Sequence, residues 1–380
     1  MTATAKLDVS GGLLPALQAF FKRVLELDQI SALFIPRHLP MENMVMPALV
    51  TEPEDLTGSD PLAPAFPLNA ARVAARLTRR PTGQKIAVVL RPCEMRAFVE
   101  LVKLKQGSTE EIVLIGIDCL GAYTNKDYFR FAEVAGEEST AAFLQAALGG
   151  GETGPADDFQ LAPACRVCEF FVPTMADIQI GLYGMDTARE VLVEAATASG
   201  EELLTGLNLS MAEPPSGRRA AIDTLLKQRI TDRDAMFAAT AEATGNIENI
   251  TTYLAHCVNC YNCRVACPVC YCKECVFATA VFDHDPAQYL QWAQRRGAIK
   301  LPTDTVFYHL TRLAHMSTAC VGCGQCSNAC PNDIPVMELF RTVAHQTQQA
   351  FGYQAGRSLE DKPPLSEFRE NEFQEVVGIN

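Results

Sequence analysis

The sequence predicts an α/β N-terminal domain, with helices around a mixed or parallel sheet, and a mostly helical C-terminal domain containing a dicluster ferredoxin-like module. Three observations support this fold class. Short aliphatic runs alternate with helical periodicity in the first two thirds of the chain. Eleven of the 15 cysteines lie between Cys257 and Cys330, where one motif occurs twice. The 380 residues suit two domains, because single domains mostly contain roughly 100–200 residues.

The division into domains follows a change in chain character. A helix-like segment, Ala220–Ala243, leads into a short polar stretch at Gly245 that is typical of a hinge. We therefore place the first domain at residues 1–245 and the second at residues 246–345. Residues 346–380 are rich in Gln, Glu, Arg and Pro with little periodicity, and this composition predicts an extended C-terminal tail.

Composition and charge exclude several classes of protein. Hydrophobic residues make up 48% and charged residues 20% of the chain, which excludes disordered and collagen-like proteins. A net charge of −13 without a basic run argues against a nucleic-acid partner. The first residues carry no apolar stretch behind a basic region, and no apolar run approaches the roughly 18 residues of a membrane span. We expect a cytoplasmic protein, in which clustered cysteines more often bind metals than form disulfides.

The strongest motif is C-x2-C-x2-C-x3-C-P, which occurs twice with an offset of 63 residues. Three thiolates separated by two residues each can bind three corners of a cubane from one loop, and in two-cluster ferredoxins the fourth Cys ligates the other cluster. We therefore predict two [4Fe–4S] clusters in the second domain. The first is assigned to Cys257, Cys260, Cys263 and Cys330, and the second to Cys320, Cys323, Cys326 and Cys267. The alternative is a pair of zinc knuckles, although these usually have two C-x2-C hooks separated by a longer insert.

The segment between the two motifs is longer than a minimal ferredoxin needs. Residues Pro286–Ala298 and Thr303–His315 each have the pattern of an amphipathic helix, so we expect a helical pair beside the clusters. Three histidines near the motifs are expected to pack there rather than to bind metal: His256, His309 and His315. Three further thiols have no predicted cluster, and either packing around cluster sulfides or an extra metal site with a non-Cys ligand remains open for them: Cys270, Cys272 and Cys275.

The four remaining cysteines lie in the first domain. The aliphatic runs Lys85–Leu90 and Ile112–Ile117 flank a segment of helical periodicity, Glu94–Lys105, and together they predict a βαβ unit. Its strands are parallel and about 4.8 Å apart when they are neighbours, so Cys93 and Cys119 emerge together at the carboxyl edge of the sheet. The C-x2-C hook of Cys165 and Cys168 is able to complete a four-thiolate site there. The alternative is that Cys93 and Cys119 are buried structural cysteines.

A glycine turn near the N-terminus is a candidate cofactor site. Ser10, Gly11 and Gly12 precede an amphipathic helix, and backbone amides at a glycine-opened helix N-terminus can bind a pyrophosphate. The alternative is a simple helix cap.

The N-terminal cysteines resemble those of a known family. The family has a Pro-Cys after one strand, a Gly-Ile-x-Cys after the next, and a C-x2-C followed by Ala-Asp-Ile-x-x-Gly. The matching segments here are Arg91–Glu94, Gly116–Cys119 and Cys165–Cys168 with Ala176–Gly181. This order resembles the beta subunit family of coenzyme F420-reducing hydrogenases and F420-linked formate dehydrogenases, through most of residues 1–240. The appended dicluster ferredoxin is similar to the formate-dehydrogenase-type members.

The resemblance implies specific cofactors. In this family the four N-terminal cysteines hold a [4Fe–4S] cluster next to FAD, which implies the same role for Cys93, Cys119, Cys165 and Cys168. The family also places a Gly-Gly turn at its flavin site, and the segment ending at Asn69 resembles another family segment. The predicted flavin-binding residues are therefore Ser10, Gly11, Gly12 and Asn69. The Gly-Thr-Lys-Tyr run expected upstream of Asn69 is absent, which favours FAD over a deazaflavin.

These features together predict an electron-transfer subunit of a cytoplasmic oxidoreductase that is built from several subunits. Electrons would pass between FAD, the N-terminal cluster, the two ferredoxin-type clusters and a partner. The resemblance implies as partner a formate dehydrogenase or hydrogenase catalytic subunit, or heterodisulfide-reductase-like subunits. No side chain has to act as a general acid or nucleophile, because the cofactors carry the chemistry. Two alternatives remain, a flavin-free three-cluster relay that docks between two enzymes and a zinc-stabilised interaction module without a redox role.

Overall fold

The structure is a computed structural model that describes residues 3–40, 44–149, 159–279, 285–297 and 305–366. Within these residues one sheet of eight strands is present, in the spatial order β3-β2-β4-β5-β6-β7-β1-β8. Strands β2, β4, β5 and β6 are parallel to one another, and the pairs on either side of them are antiparallel. The strands are β1 (Ala3–Asp8), β2 (Ile30–His38), β3 (Val45–Val50), β4 (Lys85–Leu90), β5 (Ile112–Ile117), β6 (Ile178–Gly181), β7 (Glu190–Ala195) and β8 (Ser210–Met211).

Fourteen α-helices are present in the described residues. They are α1 (Leu13–Leu25), α2 (Ala71–Leu77), α3 (Pro92–Lys103), α4 (Asn125–Ala135), α5 (Ser139–Leu148), α6 (Pro163–Arg166), α7 (Ala198–Gly206), α8 (Gly217–Ala243), α9 (Ile247–Tyr253), α10 (Asn262–Ala266), α11 (Pro286–Arg296), α12 (Thr305–Met316), α13 (Gln325–Asn328) and α14 (Val336–Ala350). The predicted fold class, an α/β region followed by a helical one, is confirmed. In the part of the chain that the structure describes, none of these helices is both long and apolar enough to pass through a bilayer.

The predicted βαβ unit is present as β4, α3 and β5. The two strands begin and end at the predicted residues and pair in parallel, with Ile86 opposite Ile112 and Leu90 opposite Gly116. All six residues of β5 are buried, as expected for a parallel strand covered on both faces. The unit therefore delivers the residues that follow β4 and β5 to one edge of the sheet.

The sheet separates two hydrophobic cores. On one face, Ala87 and Val89 of β4 pack with α1, α4, α5 and α7. On the other face, Ile86 and Val88 pack with α2 and α3 and also with Phe340 of α14. The ferredoxin region thus shares a core with the α/β region, because the alternation of β4 side chains buries both faces of the sheet.

The C-terminal segment differs from the predicted extended tail. Residues 346–350 continue helix α14, so the prediction of a tail beginning at residue 346 is wrong. Beyond the helix, Tyr353 and Ala355 are buried. Glu100 of α3 accepts hydrogen bonds from the Tyr353 hydroxyl and the Gly356 amide, both at 2.6 Å, and Arg96 donates to the Ala355 carbonyl at 2.8 and 3.1 Å. These buried polar contacts hold the segment against α3.

The helical pair between the motifs is present as α11 and α12. The predicted ends at residue 298 and at residues 303–304 lie outside the described residues, as do residues 367–380 of the predicted tail. Helix α8 begins at Gly217, three residues before the predicted helix-like segment, and ends at the predicted residue.

Candidate metal centres

The four N-terminal cysteines come together at the carboxyl edge of the sheet. Cys93 lies in the first turn of α3, Cys119 follows β5, and Cys165 and Cys168 lie in and just after α6. Burial raises the pKa of Cys165 to about 12, and negative charge on the adjacent Cys119 and Cys168 contributes to that rise. Burial also raises the pKa of Cys93, as do charges on Glu94, Cys119 and Cys168. Cys119 and Cys168 are therefore both within electrostatic reach of Cys93 and of Cys165.

A buried ion pair positions the residue before Cys119. Asp118 is fully buried and accepts hydrogen bonds from the amides of Leu182 at 2.8 Å and Tyr183 at 3.1 Å. The guanidinium of Arg218, from α8, donates to the same carboxylate at 2.5 and 3.1 Å. The Tyr183 hydroxyl in turn donates to the Cys119 carbonyl at 2.7 Å. These bonds connect the cysteine loop to β6 and α8.

The structure places the fourth cysteine of each motif near the first three cysteines of the other motif. Burial raises the pKa of Cys257, and among its neighbours the charges of Cys263, Cys260 and Cys330 raise it further. Cys330 belongs to the second motif, so this group crosses between the two repeats.

The other group crosses in the opposite direction. Burial raises the pKa of Cys326 well above its usual value, and although Arg312 lowers it, Cys267, Cys323 and Cys320 raise it. Cys267 comes from the first motif. Helices α10 and α13, which follow the two loops, lie beside each other and account for the exchange.

The two loops share an unusual backbone conformation. Asn259 and Tyr261 of the first motif have φ values of 49° and 61°, and Gly322 and Gly324, at the same offsets in the second motif, have 71° and 79°. Left-handed residues in a loop turn backbone N–H groups inward, a concave arrangement that occurs at many iron–sulfur sites. A tyrosine in this region is uncommon and costs conformational energy, which the surrounding contacts must offset. The repeat is therefore present in the backbone conformation as well as in the sequence.

Unpartnered hydrogen-bond donors surround the cysteines. Three buried guanidinium nitrogens of the described residues have no protein partner and belong to residues beside the thiols: Arg264 Nε, Arg312 Nε and Arg341 Nη1. Such groups are rare in native proteins and mark an acceptor other than protein. The sulfides and thiolates of a [4Fe–4S] cluster accept N–H hydrogen bonds, so the residues present fit such groups.

The cysteine groups do not have the geometry of a single-ion site. Within the described ranges, no three His, Cys, Asp or Glu side chains converge as ligands of one metal ion. Each thiolate of a [4Fe–4S] cluster binds a different iron, so cluster ligands need not converge on one point.

The N-terminal group lies next to the second ferredoxin group. Cys323 is close enough to Cys93 for its charge to raise the pKa of that thiol. A cavity of about 220 Å³ between the α/β and ferredoxin regions is lined by both Cys165 and Cys323. Gly324 packs directly on Ala164 at this junction, where a Cβ at position 324 would lie 2.4 Å from the Ala164 Cβ. The N-terminal group is therefore adjacent to the group that contains Cys323.

Helix α12 lines the Cys257 group with His309, which was expected to pack near the motifs, and with Tyr308 and Arg312, which sequence reasoning did not assign. Arg312 Nη1 lies 3.1 Å from the Cys263 Sγ, and the Tyr308 hydroxyl lies 3.6 Å from the same sulfur. His309 Nε2 lies 3.4 Å from the Cys257 Sγ, and burial together with Arg312 lowers the His309 pKa to about 4. The only signal in the sequence is the spacing of these residues, which places them on one face of the predicted helix.

The predicted flavin residues do not form one site. The turn of Ser10, Gly11 and Gly12 is exposed. Its Ser10 amide donates to the Asp8 carboxylate at 2.9 Å, and its Gly12 amide donates to the Val9 carbonyl at 2.8 Å. The third residue of α1, Pro15, has no N–H. Two donors of the turn are therefore engaged within the protein, and a carboxylate lies beside it.

Asn69 lies on the other face of the sheet from α1. It is 4% exposed, and its side chain contacts Cys323, whose pKa burial raises and Asn69 partly lowers. The Asn69 Oδ1 caps the start of α2 by accepting from the Ala71 amide at 3.1 Å. The structure thus places Asn69 with the ferredoxin cysteines rather than with Gly12. A cavity at the carboxyl edge beside Cys119 has only about 30 Å³, well below the roughly 300–1,000 Å³ of ligand pockets.

The three additional thiols remain without a shared site. Cys270 is partly buried, and burial, followed by the charge on Cys267, raises its pKa to about 11. Cys272 is exposed and Cys275 is partly buried. In the described part of the chain they do not meet a set of His, Asp or Glu ligands for a single ion.

The fold and the cysteine groups define a class of protein, an α/β subunit joined to a dicluster iron–sulfur module. Comparison with known families agrees with this class. Residues 83–212 match the family model for the C-terminal part of the coenzyme F420 hydrogenase/dehydrogenase beta subunit, and residues 253–334 match the 4Fe-4S dicluster domain. The resemblance inferred from the cysteine motifs is confirmed, because separate regions of the chain match both family models.

Two curated proteins are similar over most of the chain. The F420-dependent formate dehydrogenase subunit beta of Methanocaldococcus jannaschii is 24% identical over 84% of this chain and 85% of its own length. The F420-dependent formate dehydrogenase 1 subunit beta of Methanococcus maripaludis is 26% identical over 74% of this chain and 75% of its own length. A chain of the F420-reducing [NiFe] hydrogenase complex from Methanosarcina barkeri superposes with a TM-score of 0.47 and 16% identity, over 65% of this chain and 94% of that one.

Proposed function

We propose that this chain is an electron-transfer subunit of a cytoplasmic oxidoreductase built from several subunits, and that it holds three [4Fe–4S] clusters. The observation that carries the proposal is the presence of three separate groups of four cysteines, with the N-terminal group beside Cys323. The proposed ligands are Cys93, Cys119, Cys165 and Cys168 for one cluster, Cys257, Cys260, Cys263 and Cys330 for another, and Cys267, Cys320, Cys323 and Cys326 for the third.

A buried arginine supports cluster binding at these thiols. Arg312 is 3% exposed, and its Nε has no protein partner among the described residues, whereas Arg341 is already paired with the Glu169 carboxylate. A buried guanidinium without a carboxylate needs another negative partner, and iron-bound thiolates supply that charge. When bound, the clusters supply one-electron transfer, and the protein positions them and adjusts their potentials.

The proposed partner is the catalytic subunit of a formate dehydrogenase or hydrogenase, or a heterodisulfide-reductase-like subunit. Support comes from the two similar formate dehydrogenase beta subunits, which match this chain over most of their length. An F420-dependent reaction of the complex is part of this proposal, since both relatives are described as F420-dependent.

FAD belongs to the proposal through the family resemblance. The Ser10–Gly12 turn and Asn69 do not form a common site for it, so no step is assigned to these residues. That separation specifically favours a second candidate function, a flavin-free relay of three clusters between two enzymes.

One measurement tests these possibilities together. The full chain is purified anaerobically with its co-purifying subunits, and iron, sulfide, zinc and extractable flavin are determined per chain. Three clusters require about twelve iron atoms, at four per cluster. Fewer than about eight after anaerobic reconstitution would refute the three-cluster proposal. Zinc without sulfide would instead indicate the interaction module, and full iron without flavin would select the flavin-free relay.

A further inference from the structure

Helix α12 belongs to the segment between the two cysteine motifs and presents three buried polar residues to them. Tyr308, His309 and Arg312 lie within about one helical turn and are 1%, 1% and 3% exposed. Burying three such side chains on one helix face is costly unless each finds a polar or charged partner. Their partners therefore indicate what this segment contributes.

Arg312 makes two direct contacts with a predicted cluster ligand. Its Nη1 donates to the Cys263 Sγ at 3.1 Å, and its Nη2 donates to the Cys263 carbonyl at 3.2 Å. The guanidinium also lies 4.6 Å from the centroid of the Phe340 ring, which holds it from the other side. The side chain is thus fixed by contacts at both its edge and its face.

The charge of Arg312 reaches both ferredoxin groups. Among the described residues no carboxylate forms an ion pair with it. Cys263, which Arg312 contacts, lies in α10 and belongs to the Cys257 group, whereas Cys267 directly follows α10 and belongs to the other group. Electrostatic interactions also connect the Arg312 guanidinium with Cys267 and Cys326 of that other group. The negative charge that balances this arginine is therefore shared between the two groups of thiols.

We propose that Arg312 is a positioning residue that contacts one group of ferredoxin cysteines and acts electrostatically on the other, and that it would make the clusters held by both groups easier to reduce. This inference rests on the proposed function and deepens it. Reduction adds one electron to a cluster and transfers no atom, so a fixed cation nearby stabilises the reduced form. A charged N–H donor to the Cys263 sulfur adds a hydrogen bond that strengthens as the sulfur becomes more negative. The cluster bound by Cys263 receives both effects, and its neighbour receives the charge alone.

The proposal predicts a graded response to substitution. We expect Arg312→Gln to lower the equilibrium constant for one-electron reduction of the Cys263 cluster about tenfold. This change corresponds to a reduction potential that is lower by about 59 mV. The neighbouring cluster should shift in the same direction by less. Arg312→Lys keeps the charge but not the paired N–H geometry, so it should lower the potential of the Cys263 cluster and leave the neighbour unchanged.

The control variant is Arg219→Gln on α8. Arg219 is 86% exposed in its side chain, so its replacement changes the net charge equally without removing a buried contact. Each variant is prepared anaerobically as the full chain, its iron content is measured, and both clusters are titrated electrochemically with detection by electron paramagnetic resonance.

The measured potentials test the role of Arg312 separately from the proposed function. A larger shift at the Cys263 cluster in Arg312→Gln, with wild-type potentials in Arg219→Gln, supports the inference. Wild-type potentials in an iron-complete Arg312→Gln overturn it. If that variant does not retain iron, a wild-type potential of the Cys263 cluster in Arg312→Lys overturns it instead, and a lowered one supports it. Absence of clusters from the unmodified protein would refute the proposed function itself.

Discussion

The junction between the α/β and ferredoxin regions depends on a glycine that has no room for a side chain. Gly324 has a φ of 79° and lies against Ala164, next to two predicted cluster ligands, Cys323 and Cys165. Replacing Gly324 by alanine would place two Cβ atoms 2.4 Å apart. Carbon atoms pack at about 3.5–4.0 Å, so the two regions would have to separate by about 1.1 Å or more.

The expected loss of stability in Gly324→Ala has two parts. A non-glycine residue in the left-handed region costs roughly 1–2 kcal/mol, and overpacking a close contact costs roughly 1–3 kcal/mol more. Gly83→Ala is a matched control, because Gly83 has a φ of 77° and an added methyl group would meet no atom within 4 Å. We therefore expect Gly324→Ala to lower the free energy of unfolding by about 1–3 kcal/mol more than Gly83→Ala.

The assay is chemical unfolding of the cluster-loaded full chain under anaerobic conditions, followed by circular dichroism. Adding Ala164→Gly to Gly324→Ala removes the second methyl group of the clash. The double variant should therefore regain the stability lost to overpacking but not the stability lost to the left-handed backbone, and a double-mutant cycle measures the two separately. A stopped-flow measurement of reduction should also show slower transfer between the N-terminal and ferredoxin clusters in Gly324→Ala. Equal destabilisation by Gly324→Ala and Gly83→Ala, or no restoration by Ala164→Gly, would refute the reasoning.

Three further predictions test the assignment of residues. Replacing Cys93 and Cys168 together by serine should lower the iron content by about four atoms per chain and leave both ferredoxin signals intact; loss of every cluster from the folded variant would contradict the partition. Replacing the exposed Cys272 by serine should leave the iron content unchanged, because no cluster is assigned to it, and a lower iron content would show otherwise. Arg218→Met should destabilise the protein by about 3–5 kcal/mol in denaturant unfolding, since it leaves a buried carboxylate unpaired. The same change at the exposed Arg219 on this helix should cost at most about 1 kcal/mol, and similar costs at both positions would contradict the ion-pair argument.

Several parts of the fold were predictable because their signals are local. The runs Lys85–Leu90 and Ile112–Ile117 are long, apolar and separated by a helical period, and the strands occupy these residues. The exchange of Cys267 and Cys330 between the repeats followed from spacing, since a fourth ligand on a following helical turn points away from its own loop.

Other parts were not predictable because they depend on packing between distant segments. Asn69 caps α2 and contacts Cys323, which is separated from it by more than 250 residues of chain. Composition predicted an extended tail, whereas Glu100 and Arg96 bind residues that follow α14. In each case the deciding contact has no signature in the local sequence.

The sequence by itself determined the local chemistry of this protein. The spacing of the thiols within each motif defines which cysteines can bind one cluster from one loop, because a few residues of backbone set those distances. The tertiary structure alone decided how these sites are joined and adjusted. Both faces of β4 are buried, and one of them packs against the ferredoxin region. This packing brings Cys323 close to the N-terminal cysteines. Within the ferredoxin region, Arg312 contacts Cys263, which is 49 residues away in sequence. Such contacts arise from burial of whole surfaces, which no short stretch of residues encodes.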